Sequence, residues 1–306
     1  MDQNGEGSAL ADFLRCLSDA WPEHRGFIRR RFGESYSHLA ETSEHLATKL
    51  QLIAGTEIRR YCDDYRWVCE ILQAEELHFR RSGQYRLSRF AEAQHEVYDN
   101  PAFMERYVRG LLVTQLMWAN QTGAYDIYLR RFLSGNRAAY RHLEIGPGHG
   151  LLLSEALSDP RCIEAAAWDI SSSSLKATAH CLSRLGVHRV PSIERRDFLS
   201  PGIHRNDFDS VVISEVLEHL EQPDRALSAV SNLLAPLGRA FINVPINSPA
   251  PDHIYLFRAP AEVNEAVAAA GLKIESVDLL PLTGYTLDQA MRESLTISCA
   301  IIGTKE

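Results

Sequence analysis

Three glycines at alternate positions, followed at a distance by an acid, are the residues whose types and spacing most directly suggest chemistry. Gly146, Gly148 and Gly150 follow a short apolar segment, and Asp169 ends a second one. In a β-α-β unit this spacing lets the backbone approach a ligand closely and places a carboxylate at the tip of the next strand. Such a carboxylate can accept hydrogen bonds from two ribose hydroxyls. The pattern therefore predicts a site for a ribose-bearing ligand.

Glu144 distinguishes this loop from a dinucleotide-binding loop. The glycines are spaced Gly-x-Gly-x-Gly, whereas the dinucleotide fingerprint needs its third glycine one position later, for helix–strand packing beside a pyrophosphate. Glu144 lies two residues before the first glycine, and the turn contains no lysine or arginine. A carboxylate at the mouth of the loop disfavours a pyrophosphate and favours a cation.

The pattern Glu-x-Gly-x-Gly-x-Gly followed by a distant acid resembles the class I S-adenosylmethionine-dependent methyltransferases. The resemblance implies that Glu144 lies near the methionyl ammonium, that the glycines form the floor of the site, and that Asp169 binds the ribose. It implies further cofactor contacts, to the nucleoside and methionine parts, from Ile170, Asp197, Phe198, Ser214 and Glu215. A glycine-rich turn of another α/β protein is the alternative interpretation of the loop alone.

The order of segments from residue 140 onward predicts an α/β fold. Apolar strand candidates alternate with helical stretches, and two more strand candidates, at 272–280 and 294–303, lie near the end of the sequence. This order requires a mostly parallel sheet covered by helices. We predict a Rossmann-like seven-stranded, mostly parallel sheet with helices on both faces, formed by residues 136–306, preceded by a mainly α-helical N-terminal domain.

Residues 1–135 are assigned to that N-terminal domain. Residues 77–88 alternate around Ser82 and Gly83, which predicts a β-hairpin after a helix at 62–76. Helix and hairpin together resemble the winged-helix-like domain in front of many small-molecule O-methyltransferases, which implies dimerisation and a contribution to the substrate pocket. The other predicted helices lie at about 8–19, 35–51, 88–96 and 101–132.

Two histidines are candidates for the group that takes or orients the acceptor's proton. Methyl transfer needs an acceptor lone pair in line with the methyl carbon, about 3 Å away, and can require a base. His253 lies in a proline-rich loop after the fifth strand and is the first choice. His219 follows the fourth strand and is the second. A structural role is the alternative for each.

A metal site is a further interpretation of the same region. Glu215, Glu218 and His219 have i, i+3, i+4 spacing, which predicts one shared helical face. Together with His253 they resemble the metal site of the small-RNA 2′-O-methyltransferases, and mixed oxygen and nitrogen ligation would suit Mg, Mn or Fe. The same motif is common in class I enzymes without a metal. The sequence therefore allows a divalent metal but does not favour it.

Composition narrows the class of protein. The 306 residues are 45% hydrophobic with a net charge of −8, and no basic tract suggests a nucleic-acid partner. No apolar run is long enough for a membrane span, and the polar start is unlike a signal peptide. Six cysteines without Cys-x-x-Cys spacing favour reduced thiols and a cytoplasmic location. The expected partners are a small-molecule acceptor and, in a homodimer, a second copy of the chain.

The leading functional hypothesis is a small-molecule O- or N-methyltransferase of secondary metabolism. A second is an enzyme of the same fold that uses S-adenosylmethionine for cyclisation, lysis or decarboxylation, since fold does not fix reaction. A third is a regulator that reads DNA and senses the cofactor. The acidic helix around Asp63 and Glu70 disfavours the third, because it would repel phosphate.

Overall fold

The computed structural model describes residues 7–200 and 207–306. The first part of the chain is helical, with π-helical turns at Gln94–Tyr98 and Tyr128–Leu133. Its helices are α1 (Ala9–Ala20), α2 (Arg25–Arg31), α3 (Ala40–Ala54), α4 (Ile58–Ser82), α5 (Phe90–Ala93), α6 (Pro101–Met117) and α7 (Ala119–Ile127). The single helix predicted at 101–132 is thus divided, since Trp118 adopts an extended conformation between α6 and α7.

The predicted β-hairpin at 77–88 is wrong. Helix α4 continues to Ser82 and ends at Gly83, whose φ of 70° allows its N–H to donate to the Phe79 carbonyl at 2.8 Å. A glycine in the left-handed region is a frequent helix terminator, and here it acts as one instead of turning a hairpin. The described residues before 140 contain no strand. The feature that suggested a winged-helix-like domain is therefore missing there, although the mainly helical character is confirmed.

Seven strands form one sheet in the order β3-β2-β1-β4-β5-β7-β6. They are β1 (Tyr140–Ile145), β2 (Cys162–Asp169), β3 (Ser192–Arg195), β4 (Phe208–Ser214), β5 (Leu234–Ile246), β6 (Leu272–Pro281) and β7 (Ile297–Lys305). The first five are parallel, and β7 pairs antiparallel with both β5 and β6. The predicted fold class is confirmed. Strand order reverses between β1 and β4, and ligands bind open α/β sheets at the carboxyl ends of the strands beside such a reversal.

Helices cover both faces of the sheet because successive strand residues point to opposite sides. Val211 and Ile213 belong to the core beneath α10 (Pro223–Leu233), α11 (Pro260–Ala269) and α12 (Leu287–Glu293). Val212 belongs to the core on the other face, beneath α8 (Leu151–Ser158), α9 (Ser172–Arg184) and the front helices. The division predicted at residue 135 stays a prediction.

The front helices are anchored by a buried arginine. Arg31 is 1% exposed, and its guanidinium donates to the Leu116 carbonyl at 3.1 Å and to the Thr122 hydroxyl at 2.7 Å. It thereby joins α2 to the junction of α6 and α7, the part of the front region that lies nearest the candidate site. No helix in the described ranges combines the length and apolarity that crossing a membrane requires.

Candidate cofactor and acceptor site

The loop after β1 takes a shape that only glycine adopts easily. Gly146, Gly148 and Gly150 have φ values of 67°, 53° and 79°, all in the left-handed region. A Cβ at Gly146 would lie 2.5 Å from a methyl of Val216, whereas one at Gly148 would meet nothing within 4 Å. The loop therefore leaves its backbone open at Gly148, where a ligand could approach it.

Glu144 holds a buried carboxylate just before this loop. The residue is 3% exposed, and its Oε2 has no hydrogen-bond partner among the described residues. Burial raises the pKa of Glu144 to about 8, against a weaker opposing hydrogen bond from the backbone of Leu153. A cation placed beside it would favour the charged form.

Asp169 lies where the sequence predicts, at the end of β2, the neighbour of β1. The Ser171 N–H donates to its Oδ1 at 2.7 Å, and burial raises the pKa of Asp169 to about 6. Ile170, the next residue, is 39% exposed. An acceptor of hydrogen bonds thus stands beside an exposed apolar side chain, as a nucleoside would require.

Asp197 and Phe198 follow β3; Asp197 is exposed, whereas the Phe198 side chain is buried. The carboxylate of Asp197 accepts from the Leu199 N–H at 2.9 Å and the Ser200 hydroxyl at 3.2 Å. The Phe198 ring is 7% exposed and belongs to the core. Their contacts with an adenine stay a prediction.

Ser214 and Glu215 end β4 and share one partner on β5. The Asn243 side-chain N–H donates to the Ser214 hydroxyl at 3.2 Å and to Glu215 Oε1 at 2.9 Å. Burial raises the pKa of Glu215 to about 7, while hydrogen bonds from Gln121 and Asn243 oppose the shift. Gln121 comes from α7, so a front helix closes this side of the site.

The shared helical face predicted for Glu215, Glu218 and His219 is wrong. Glu215 has a φ of 55°, and the only helical turn here is a 3-10 turn at Leu217–His219. A left-handed residue turns the chain immediately after the strand, so Glu215 precedes the helical turn instead of lying on it. Tertiary folding nevertheless brings together Glu218, His219 and His253, whose candidate ligand atoms lie within 4.8 Å of one another.

These three side chains form the acceptor-side cluster. The Nε2 atoms of His219 and His253 lie 3.7 Å and 3.8 Å from Glu218 Oε1. The side chain of His219 is 18% exposed and that of His253 is 8% exposed. Burial lowers the pKa of His253 to about 4, so its imidazole is neutral near pH 7.

A buried aspartate connects the cluster to the front helices. Asp252 is 4% exposed and accepts from the hydroxyls of Tyr98 at 3.1 Å and Tyr107 at 3.0 Å. Its backbone carbonyl lies 3.0 Å from His219 Nδ1. The sequence alone assigned no role to Asp252 or to the two tyrosines, because both tyrosines lie more than a hundred positions before Asp252 and belong to no motif.

Comparison with known proteins agrees with this geometry. A family model described as a methyltransferase domain matches residues 143–240, which include the glycine loop, Asp169 and His219. The chain contains a class I methyltransferase domain. The family resemblance predicted from the sequence is therefore confirmed.

A curated protein and two solved structures also resemble this chain. The chain is 31% identical over 163 residues to a ubiquinone biosynthesis O-methyltransferase of Xanthomonas euvesicatoria pv. vesicatoria (strain 85-10). This match covers 46% of the chain and 65% of that relative, just under two thirds of its length.

Among solved structures, the methyltransferase SibL has a TM-score of 0.53 at 14% identity, over 81% of this chain and 73% of its own. The cyclase SpnF has a TM-score of 0.50 at 17% identity, over 61% and 80%. At these identities the likeness shows the fold alone.

The methyltransferase domain thus presents two chemically different halves along one sheet edge. Glycines and acids follow β1 and β2, where they suit a cation with hydroxyl groups. Imidazoles and a buried acid follow β4 and β5, where they suit proton handling or ligation. Glu215 and Asn243 stand between the two halves.

Proposed function

We propose that this protein transfers a methyl group from S-adenosylmethionine to an oxygen or nitrogen of a small-molecule acceptor. The observation that carries the proposal is a pair of carboxylates, buried Glu144 and half-buried Asp169, beside an open glycine loop. Within residues 7–200 and 207–306, neither Glu144 nor Asp169 forms an ion pair with a lysine or arginine. Acids that are removed from water without a cationic partner are costly.

S-adenosylmethionine has the groups that these acids lack. Its ammonium and sulfonium supply positive charge, which suits Glu144, and its ribose supplies two hydroxyl donors, which suit Asp169. The exposed Ile170 offers an apolar surface to the adenine. On the basis of the family resemblance, we assign Ser214 and Glu215 to contacts with the methionine part of the cofactor. On the same basis, we assign Asp197 and Phe198 to contacts with the adenine.

The methyl-transfer step requires few catalytic groups from the protein. The acceptor's lone pair attacks the methyl carbon, the carbon–sulfur bond breaks with its electron pair going to sulfur, and S-adenosylhomocysteine leaves. The acceptor's proton must go to a base. We assign this role first to His219, which is more exposed than His253. A pKa near 4 makes His253 a weak base at neutral pH, so we assign it to orienting the acceptor.

The curated relative supports oxygen as the methylated atom, since it is named an O-methyltransferase. A small acceptor is supported by the front helical region, whose Gln121, Tyr98 and Tyr107 reach the acceptor side and cover it. Membership of secondary metabolism, a cytoplasmic location and a homodimer belong to the same proposal.

The test is calorimetry with S-adenosylmethionine, followed by incubation with methyl-labelled cofactor and a panel of small phenols, catechols and amines. We expect micromolar binding, and with the right acceptor a labelled product together with one equivalent of S-adenosylhomocysteine. Heat-denatured protein and a cofactor-only reaction are the controls. Absence of binding to both S-adenosylmethionine and S-adenosylhomocysteine would overturn the proposal.

A second candidate uses the same cofactor site for other chemistry. The fold neighbour SpnF is named a cyclase, so this fold also carries non-transfer reactions. The cofactor products separate the candidates. S-adenosylhomocysteine indicates methyl transfer, whereas a thioether that has lost its aminobutyrate part indicates cyclisation or lysis.

A further inference from the structure

Glu218 buries a carboxylate to which the described residues donate no hydrogen bond. Its side chain is 0% exposed, and neither Oε1 nor Oε2 has a partner. A buried carboxylate in this state requires a proton or a cation.

The neighbouring imidazoles, in the tautomer that their hydrogen bonds fix, do not donate a proton to Glu218. His219 Nδ1 lies 3.0 Å from the Asp252 carbonyl, and His253 Nδ1 lies 2.5 Å from the Ser248 carbonyl. Because a carbonyl oxygen only accepts, each neutral ring carries its proton on Nδ1 and presents a lone pair at Nε2. Both Nε2 atoms point towards Glu218 Oε1. Three electron-pair donors therefore face one another, and neither neutral imidazole supplies a proton to the space between them.

We propose that Glu218, His219 and His253 bind a first-row divalent metal ion. Two imidazoles and one carboxylate on one side of an ion leave positions open for water or substrate. Ligand atoms about 2.1 Å from a common ion lie roughly 3–4 Å apart, and the two separations from Glu218 Oε1, 3.7 Å and 3.8 Å, fall in this range. All three ligand atoms lie within 4.8 Å of one another, so closing on one ion requires only small shifts of the side chains. Glu215 is outside the ligand set, since the ligand atoms that lie within 4.8 Å of one another come from the other three residues.

The segments that carry the ligands are locked to each other. The backbone carbonyl of Glu218 accepts from the N–H groups of Ile254 and Tyr255, each at 2.9 Å. The hydrogen bonds from both Nδ1 atoms are the interactions that orient histidine ligands and fix their tautomer in metal sites. Tyr98 and Tyr107 hold Asp252, and so the loop that supplies His253. The site is therefore preorganised before an ion enters.

The proposal that the ion binds does not depend on the proposed function, whereas a role for the ion in methyl transfer rests on it. An ion at this point would contact the acceptor's hydroxyl and lower its pKa. It would thereby take over the role assigned to His219 as the base, because a His219 that ligates the ion through Nε2 and carries its proton on Nδ1 cannot accept another.

The test is titration of metal-stripped, full-length protein with Co(II) or Mn(II) near pH 7.5, followed by calorimetry and, for cobalt, by visible absorption. We expect one equivalent bound per chain, with a cobalt spectrum that shows nitrogen and oxygen ligation. The variants Glu218→Gln and His253→Ala should each weaken binding at least tenfold. The controls His24→Ala and Asp209→Asn alter a histidine and a buried aspartate outside the cluster and should bind as the wild type does.

A second measurement guards against misfolded variants. Without metal, Glu218→Gln should raise the thermal midpoint, because it removes a buried unpaired carboxylate, and the midpoint should no longer rise when metal is added. Wild-type protein that binds neither ion, or variants that bind as the wild type does, would overturn the proposal in favour of a proton shared within the cluster. Because no cofactor is present in these titrations, their failure is distinct from failure of the proposed methyl transfer.

Discussion

The change Asp169→Asn separates the stability of the empty site from its affinity for cofactor. Burial raises the pKa of Asp169 from 3.8 to about 6, so the folded protein favours the protonated acid. The resulting penalty is absent below the unfolded pKa, grows as the pH rises, and is complete above about pH 6. A shift of about 2 pKa units corresponds to roughly 3 kcal/mol.

The cofactor-free Asn variant should therefore be more stable than the wild type by up to about 3 kcal/mol near pH 7.5, with no difference near pH 4. Its affinity for S-adenosylmethionine should fall. Hydrogen bonds to a charged group contribute roughly 1.5–3 kcal/mol, which corresponds to a dissociation constant about 10–100 times larger. Urea unfolding at the two pH values and calorimetry at pH 7.5 measure these effects.

Asp159→Asn is the matched control, because Asp159 precedes β2 at its opposite end. Its carboxylate accepts from Arg161 at 2.7 Å and from the Tyr140 hydroxyl at 3.1 Å. Burial acts to raise the pKa of Asp159, but the hydrogen bonds from Arg161 prevail and lower it. This variant should lose stability near pH 7.5 and keep its affinity for cofactor. A wild-type dissociation constant for Asp169→Asn, or a loss of its stability near pH 7.5, would refute the reasoning.

Three further predictions concern the glycine loop, its acid and the front helices. Gly146→Ala places a Cβ 2.5 Å from Val216 at a φ of 67°, so unfolding should show a loss of about 1–2 kcal/mol, and calorimetry should show weaker cofactor binding. Glu144, with a pKa of about 8, should release a proton when the cationic cofactor binds near pH 7. Calorimetry in buffers of different ionisation enthalpy should detect this proton release, and the variant Glu144→Gln should abolish the release. Arg31→Met removes the buried hydrogen bonds that the guanidinium donates to Ser43, the Leu116 carbonyl and Thr122, so urea unfolding should show a loss of about 1–3 kcal/mol, with the dissociation constant for cofactor little changed.

Most of the sheet could be predicted from local pattern. The apolar segment before Gly146 coincides with the buried parallel strand β1, and the segment at 272–280 lies within a residue of the antiparallel edge strand β6. Both are short runs bounded by turns, which is the pattern that indicates a strand. The hairpin predicted at residues 77–88 was wrong because the first of these residues also fit the end of a helix. Helix α4, which is 25 residues long, continues through them to Ser82, and Gly83 ends that helix instead of turning a hairpin.

The two halves of the site differed in how far they could be predicted. Glu144, the three glycines and Asp169 belong to one β-α-β unit, so their spacing along the chain nearly determines their spacing in space. The acceptor side depends on Asp252, Tyr98 and Tyr107, which come from separate loops and helices. No local pattern links them, because only the packing of the front helices against the sheet brings them together.

The sequence by itself determined that this chain has a class I methyltransferase domain with a glycine loop and an acid after the next strand. Those features follow from short-range spacing and hydrophobic periodicity. Only the tertiary structure decided that Glu218, His219 and His253 share one buried point and that Glu215 lies apart, bonded to Asn243. The physical reason is burial: whether a carboxylate has a partner depends on which distant strands and loops exclude water from it, and spacing along the chain does not contain that information.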